Sequence, residues 1–231
     1  SFGGDDYVNS KAGEDRIEGG DGQDDLRGGV GNDIVLGGTG SDIIAGNEDD
    51  DRLYAETEYS IDAAYTLGKT QAASGEKGDL LDGGVGADIL IGEAGQDILM
   101  GGLGKDIIMG LGGDDTIEGD KNLVSANHTW NVTRSVNPEG NITIYNRDYN
   151  FNATAIADAV GDDDVIYGGA GNDWVFTQGG NDFVDAGADN DVVFGSAGND
   201  TILGQGGNDI LNGDSVLLGA SLHGDDYLSG G

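Results

Sequence analysis

The chain has 231 residues, 44 acidic against 10 basic for a formal charge of −34, with 46 glycines, one proline and no cysteine. Such acidity excludes nucleic acid and anionic membrane surfaces as partners, because both would repel it, and the missing cysteines exclude disulfides and thiolate metal sites. No apolar run reaches the roughly 18 residues needed to insert across a bilayer, so the obvious complement of the carboxylates is a cation.

The first predicted element, residues 1–54, repeats a nine-residue unit, G-G-x-G-x-D-x-U-x with U aliphatic. Its sixth position holds Asp6, Asp15, Asp24, Asp33, Asp42 and Asp51, and its eighth Val8, Ile17, Leu26, Val35, Ile44 and Leu53. Residues 55–73 break the period, and Ser60 there predicts the cap of a short helix that buries Ile61, Ala64 and Tyr65 and stops at Gly68. Repeats return over 74–118 with Asp79, Asp88, Asp97, Asp106 and Asp115, followed two places on by Leu81, Leu90, Leu99, Ile108 and Ile117. The insertion 119–158 reads as a hairpin, Thr129–Val136 and Asn141–Tyr145 about the turn Asn137-Pro138-Glu139-Gly140. Residues 159–212 carry Asp164, Asp173, Asp182, Asp191, Asp200 and Asp209 with Ile166, Val175, Val184, Val193, Ile202 and Leu211; after a brief excursion at 213–220, residues 221–231 add Asp226 and Leu228. Residue 1 is already in register and Gly230-Gly231 begin another copy, so the expectation is one domain of repeats, monomeric by itself, cut from a longer parent chain.

A flexible glycine-rich linker would not hold an aspartate and an aliphatic in phase over eighteen copies. Gly68-Lys69-Thr70 ends like a P-loop but has Ala63 where the first glycine belongs, and the acidic spacing does not fit an EF-hand. His128 and His223 stand beside no serine–aspartate or zinc pattern, so no catalytic residue is expected. The sequons at Asn127, Asn131, Asn141 and Asn152 read as polar hairpin edges.

Glycine at positions one, two and four permits positive φ and lets carbonyls converge. A hard cation wants six to eight oxygens at about 2.3 to 2.6 Å, which carbonyls and carboxylates supply. If two repeats make a coil, Asp24 lies about 4.8 Å above Asp6, and so on up two ladders. Stacked charges in a poorly solvated turn repel, and an ion between each pair reverses the sign. One aliphatic per nine residues is too thin a core to order the turns without that ion.

These repeats resemble the RTX, or hemolysin-type calcium-binding, nonapeptide family. The resemblance implies an all-β, right-handed parallel β-roll with two repeats per coil, interrupted by a short helix and a hairpin. It implies calcium held by the eighteen sixth-position aspartates, Asp6 through Asp226, and by the carbonyls of Gly19, Gly22, Gly28, Gly31, Gly37, Gly40, Gly83, Gly86, Gly92, Gly95, Gly101, Gly104, Gly168, Gly171, Gly195, Gly198, Gly204 and Gly207. About 11 to 16 ions are expected; sixteen would carry +32 against the chain's −34. Asp49, Lys77, Asp162 and Asp189 replace the fourth-position glycine, and weaker or missing ions are expected near Lys77 and Asp226. The family further implies a bacterial protein exported by a type I system to the cell surface or beyond.

Outward positions carry Ile89, Ile91, Ile98, Met100, Ile107, Met109, Trp174, Phe176, Val192 and Phe194, too much apolar surface to leave wet. The insertions are expected to cover these strips with Tyr59, Tyr65, Trp130, Tyr145, Tyr149 and Phe151; the rival is a face for another part of the parent. The function read from all this is a calcium-dependent structural and secretion module that folds after export. The alternative is a ligand- or glycan-binding adhesin module using the aromatic insertions, with part of an exoenzyme ranked last.

Overall fold

The computed structural model describes residues 2–71, 77–120, 130–136, 142–149, 161–214 and 223–231; for Phe2, Lys77 and the segments 130–136 and 142–149 this covers the backbone only. Each nonapeptide contributes one short strand and one turn, and successive strands alternate between two parallel sheets. The first sheet runs in the order Phe2–Gly3, Arg16–Gly22, Ile34–Gly40, Arg52–Tyr54, Ile89–Ile91, Ile107–Gly112, Val165–Ala170, Phe183–Ala188, Thr201–Leu203, Tyr227–Ser229. The second runs Tyr7–Ala12, Asp25–Val30, Ile43–Glu48, Lys77–Val85, Gln96–Leu103, Thr116–Asp120, Trp174–Phe176, Val192–Ser196, Ile210–Asp214. Two repeats therefore close one coil, and the molecule is a parallel β-roll.

The register follows from the strand period of two, which turns the eighth-position side chain inward and its neighbours outward. Val8 pairs with Leu26 and Leu26 with Ile44 on one sheet, and Ile17 with Val35 and Val35 with Leu53 on the other. The insertions do not disturb this. Ile44 pairs with Leu81 and Leu53 with Leu90 across the first, Ile108 with Ile166 and Ile117 with Val175 across the second, and Ile202 with Leu228 across the third. The stacked aliphatics from Leu26 to Ile202 have no accessible surface and form one continuous core.

Helix α1, Ile61–Gly68, starts where the sequence places it, with the Ala63 N–H donating to Ser60 Oγ at 3.3 Å. It lies on the outer face of the first sheet, where Ala64 is buried with Tyr54, Ile91, Met109 and Leu111, and Tyr59, Tyr65, Ile34, Leu36, Ile89, Ile107 and Tyr167 pack around them. One expected contact is corrected: Ile61 is exposed. Ala64 and Gly68, one turn apart, make the approach instead, and a Cβ on Gly68 would stand only 3.4 Å from Leu111 Cα. The hairpin is present as Trp130–Val136 and Ile142–Tyr149, antiparallel, pairing from Val136–Ile142 to Trp130–Tyr149 with an irregularity at Thr133–Arg134. Its turn and side chains, with His128, Asn127, Asn141, Phe151 and Asn152, lie outside the described residues, and of the sequon at Asn131 only the backbone is described.

The covering expected of the insertions is met on the first sheet by α1. On the second sheet Met100 is buried, whereas Trp174 stays exposed beside Phe176, whose ring stacks on Phe194 at 5.2 Å.

Candidate metal sites

The turns between the sheets stack along both edges of the roll and bring the eighteen predicted aspartates into two ladders of nine. One holds Asp6, Asp24, Asp42, Asp79, Asp97, Asp115, Asp173, Asp191 and Asp209, the other Asp15, Asp33, Asp51, Asp88, Asp106, Asp164, Asp182, Asp200 and Asp226. On the first, each aspartate's N–H donates to Oδ1 of the aspartate one coil on. The second repeats the bond at every step. These bonds are 2.7 to 3.2 Å long, apart from the shorter one between Asp42 and Asp79. The four terminal members, Asp6, Asp15, Asp209 and Asp226, are half-buried, and the remainder are buried.

The bond to Oδ1 fixes each carboxylate and leaves its second oxygen over. Oδ2 of Asp24, Asp33, Asp51, Asp79, Asp88, Asp106, Asp115, Asp164, Asp173, Asp191, Asp200 and Asp209 is buried without a hydrogen-bond partner. An isolated charge in such a place is strongly unfavourable. These oxygens have neighbours of their own kind: a Cβ built on Gly46 would lie against Asp51 Oδ2 and 2.6 Å from the Gly83 carbonyl oxygen. On Gly110 it would meet Asp115 Oδ2 and, at 2.6 Å, the Gly168 oxygen. The points beside first-position Gly19, Gly46, Gly83, Gly101, Gly110, Gly168 and Gly195 are thus bordered by a carboxylate oxygen and a carbonyl of the next coil, a cradle of hard oxygens that suits calcium.

This changes the reading of the glycines. Positive φ occurs at the second position, as in Gly38 at +108°, and at the fourth, as in Gly40 at +131°, but not at first-position Gly19, Gly28 or Gly37. The first glycine supplies room rather than a left-handed turn. Among the predicted carbonyls, those of first-position Gly37, Gly83, Gly101 and Gly168 border cradles, together with the unpredicted Gly110, Gly119 and Gly213. Fourth-position Gly22, Gly86 and Gly198 instead present their carbonyls to the fourth position of the adjacent coil. Gly195 O accepts from Thr177 Oγ1 at 2.8 Å, and Gly28 O from Ser10 Oγ. Asp49 and Asp189 replace the fourth glycine at φ of 75° and 79°, a conformation that aspartate tolerates better than most residues.

Burial holds the ion-free carboxyls far above the ordinary 3.8. Asp79 and Asp164 rise to about 9, Asp106 and Asp173 to about 8, Asp51, Asp191 and Asp200 to about 7, and Asp88 to about 6. Desolvation is the largest cause and neighbouring carboxylates add to it, while the ladder N–H pulls the other way. A proton or a cation would satisfy such a row.

Sequence reasoning missed three features. Glu93, at a second position, brings a carboxylate oxygen to within 4.8 Å of those of Asp79 and Asp97. Asp120, buried at the exit to the second insertion, accepts from the Asp162 N–H at 3.2 Å and keeps a buried Oδ2 without a hydrogen-bond partner. An outer ladder of fifth-position side chains runs Asp114, Asn172, Asn190, Asn208 and, on the other edge, Asp163, Asn181, Asn199. The asparagines at nine-residue spacing were the available signal for the last.

The RTX calcium-binding nonapeptide repeat matches residues 1–35, 27–57, 74–108, 100–121, 158–193 and 185–215, well over half of the chain. No curated protein matches it. Repeat, register and cradle agree, and the chain belongs to the family of RTX calcium-binding nonapeptide repeats.

Proposed function

We propose that this chain is a calcium-assembled structural module of a longer exported bacterial protein, unfolded where calcium is scarce and folded outside the cell. The observation that supports it is the row of buried, unpartnered Oδ2 atoms facing carbonyls along both edges. The aspartates of the two ladders are the side-chain ligands in this reading, with first-position carbonyls completing each site. Sites so built are individually weak and cooperative, in the roughly 10⁻⁴ to 10⁻³ M range of extracellular modules. That range matches calcium outside cells and exceeds it inside, so folding would follow export. No helix of the described residues is long and apolar enough to cross a membrane.

The stoichiometry tests the module directly. Native mass spectrometry of the chain in millimolar calcium should show about 11 to 16 bound ions, since sixteen ladder steps set the ceiling. Ser10, Ala55, Thr177 and Ala186 place a side chain at the first position and lower the number. One or two ions, or an equal response to magnesium, would rule the reading out.

A second reading, glycan binding, has one observation behind it. A cavity of about 260 Å³ lies between α1 and the first sheet, lined by Tyr65, Lys69, Met109, Leu111, Tyr167 and Asp185 among others. Aromatic faces beside a carboxylate suit a sugar ring. If this reading holds, a glycan retained by the calcium-loaded chain should be released by Tyr167→Ala; retention by neither chain ends it.

A further inference from the structure

The second position of the turn is glycine or a neutral residue in most repeats, yet it is acidic at Glu56, Glu93, Asp120 and Asp214. Three of these four stand where an insertion begins. Asp120 and Asp214 end their strands, and the chain is back in the turn at Asp162 and Gly224, each two residues before a ladder aspartate. In both places the returning N–H donates to the departing aspartate, Asp162 to Asp120 Oδ1 at 3.2 Å and Gly224 to Asp214 Oδ1 at 3.1 Å. The roll is thus opened between positions two and four and closed again by a position-two carboxylate.

Glu93 is the fourth case and stands in an unbroken turn. That turn is stacked against the one the first insertion opens, because Asp79 donates its N–H to Asp97 Oδ1. The turn is also built differently from its neighbours. Glu93 is not among the residues of positive φ, and its N–H donates to Asp97 Oδ2 at 2.7 Å, so the backbone folds toward the ladder. Its side chain follows, and one carboxylate oxygen each from Asp79, Glu93 and Asp97 lies within 4.8 Å of the others. Asp79 is 2% exposed, and its Oδ2 has no hydrogen-bond partner.

From this juxtaposition we infer that Asp79, Glu93 and Asp97 form a three-carboxylate calcium site, distinct from the ladder sites in taking a side-chain ligand from the second position. The inference rests on the calcium reading above. Three converging carboxylates repel one another, a cation between them relieves that repulsion, and added ligand charge raises calcium affinity. The site fills before the ladder sites, against the weaker binding expected from Lys77 two residues before Asp79, and restores continuity at the coil where the first insertion returns. In a stack whose units contact only their neighbours, a site filled first is where the roll begins to grow.

The test compares the full chain with Glu93→Gln and Glu93→Gly, the latter restoring the regular nonapeptide residue. Calcium retained against a graded series of chelator-buffered free calcium is counted by native mass spectrometry, with circular dichroism recorded in parallel. The expected result is one ion that outlasts the rest in the parent chain and is held about tenfold more weakly in both variants, while the remaining ions and the β signal at saturating calcium stay as they were. An equally tight or tighter first ion in Glu93→Gly overturns the inference and leaves the module reading standing. A parent chain that binds no calcium overturns both.

Discussion

Asp115→Asn is expected to weaken calcium-driven folding and, at the same time, to leave the calcium-free chain no less ordered than before. Asp115 sits mid-ladder, accepting from the Asp97 N–H at 2.9 Å and donating its own N–H to Asp173 Oδ1 at 2.9 Å. Asparagine keeps the Oδ1 acceptor and replaces only the oxygen that faces the cradle at Gly110 and Gly168. The ladder bond survives while a charged ligand is lost. One or two ions should disappear, the calcium midpoint should rise several-fold, and the transition should broaden because the ladder is cut near its centre. In the absence of calcium a buried charge has been removed, and the penalty that raised this carboxyl well above the ordinary value goes with it. Asp115→Ala also strips the Asp97 N–H of its acceptor, which costs a further ~1–3 kcal/mol. A calcium titration followed by far-ultraviolet circular dichroism separates the three chains. An unchanged midpoint in Asp115→Asn would contradict the assignment of these oxygens as ligands.

Acid should partly replace calcium. Burial raises the carboxyls of Asp51, Asp79, Asp88, Asp106, Asp164, Asp173, Asp191 and Asp200 from the ordinary 3.8 to between about 6 and about 9 in the ion-free roll. Between those limits the folded chain holds more protons than the unfolded one, so stability falls as pH rises. The contribution is fully present below 3.8 and is lost as pH passes through the folded values. A metal-depleted sample should therefore show more β structure near pH 5 than at pH 8.5, with the loss spread over the window from about 6 to about 9. Calcium binding to protonated carboxyls must release protons, so the calcium midpoint should rise as pH falls. Circular dichroism of metal-depleted protein across that range checks the sign; β structure that increases with pH would refute it.

Most of the fold was legible because two spacings repeat without error. The eighth-position aliphatics name the inner stack residue by residue, and the sixth-position aspartates name both ladders, since a coil of two repeats places residues eighteen apart in contact. Long breaks left these pairings intact because the chain departs and returns within a turn, as at Asp120 and Asp162. What escaped depends on relations that no period carries. Ile61 has the right spacing to share a face with Ala64 and is nevertheless exposed, because the helix approaches the sheet through Ala64 and Gly68. Which strip α1 covers was equally hidden, so that Ile91 and Met109 end buried while Trp174, similar by pattern, does not. Glu93 passes unnoticed in the period, and its meaning lies in the neighbouring coil, across an interruption in the sequence. The first-position glycines were noticed for the wrong property, since conformational freedom and free space leave the same letter in a sequence.

The central claim is that cations between stacked acidic turns hold the roll together. Circular dichroism of the full chain at pH 7.5, first in excess chelator and then through a calcium titration with magnesium as control, tests it most directly. Disordered signal in chelator giving way cooperatively to β structure at millimolar calcium, with no response to magnesium, is the predicted result; a chain fully folded in chelator would contradict it.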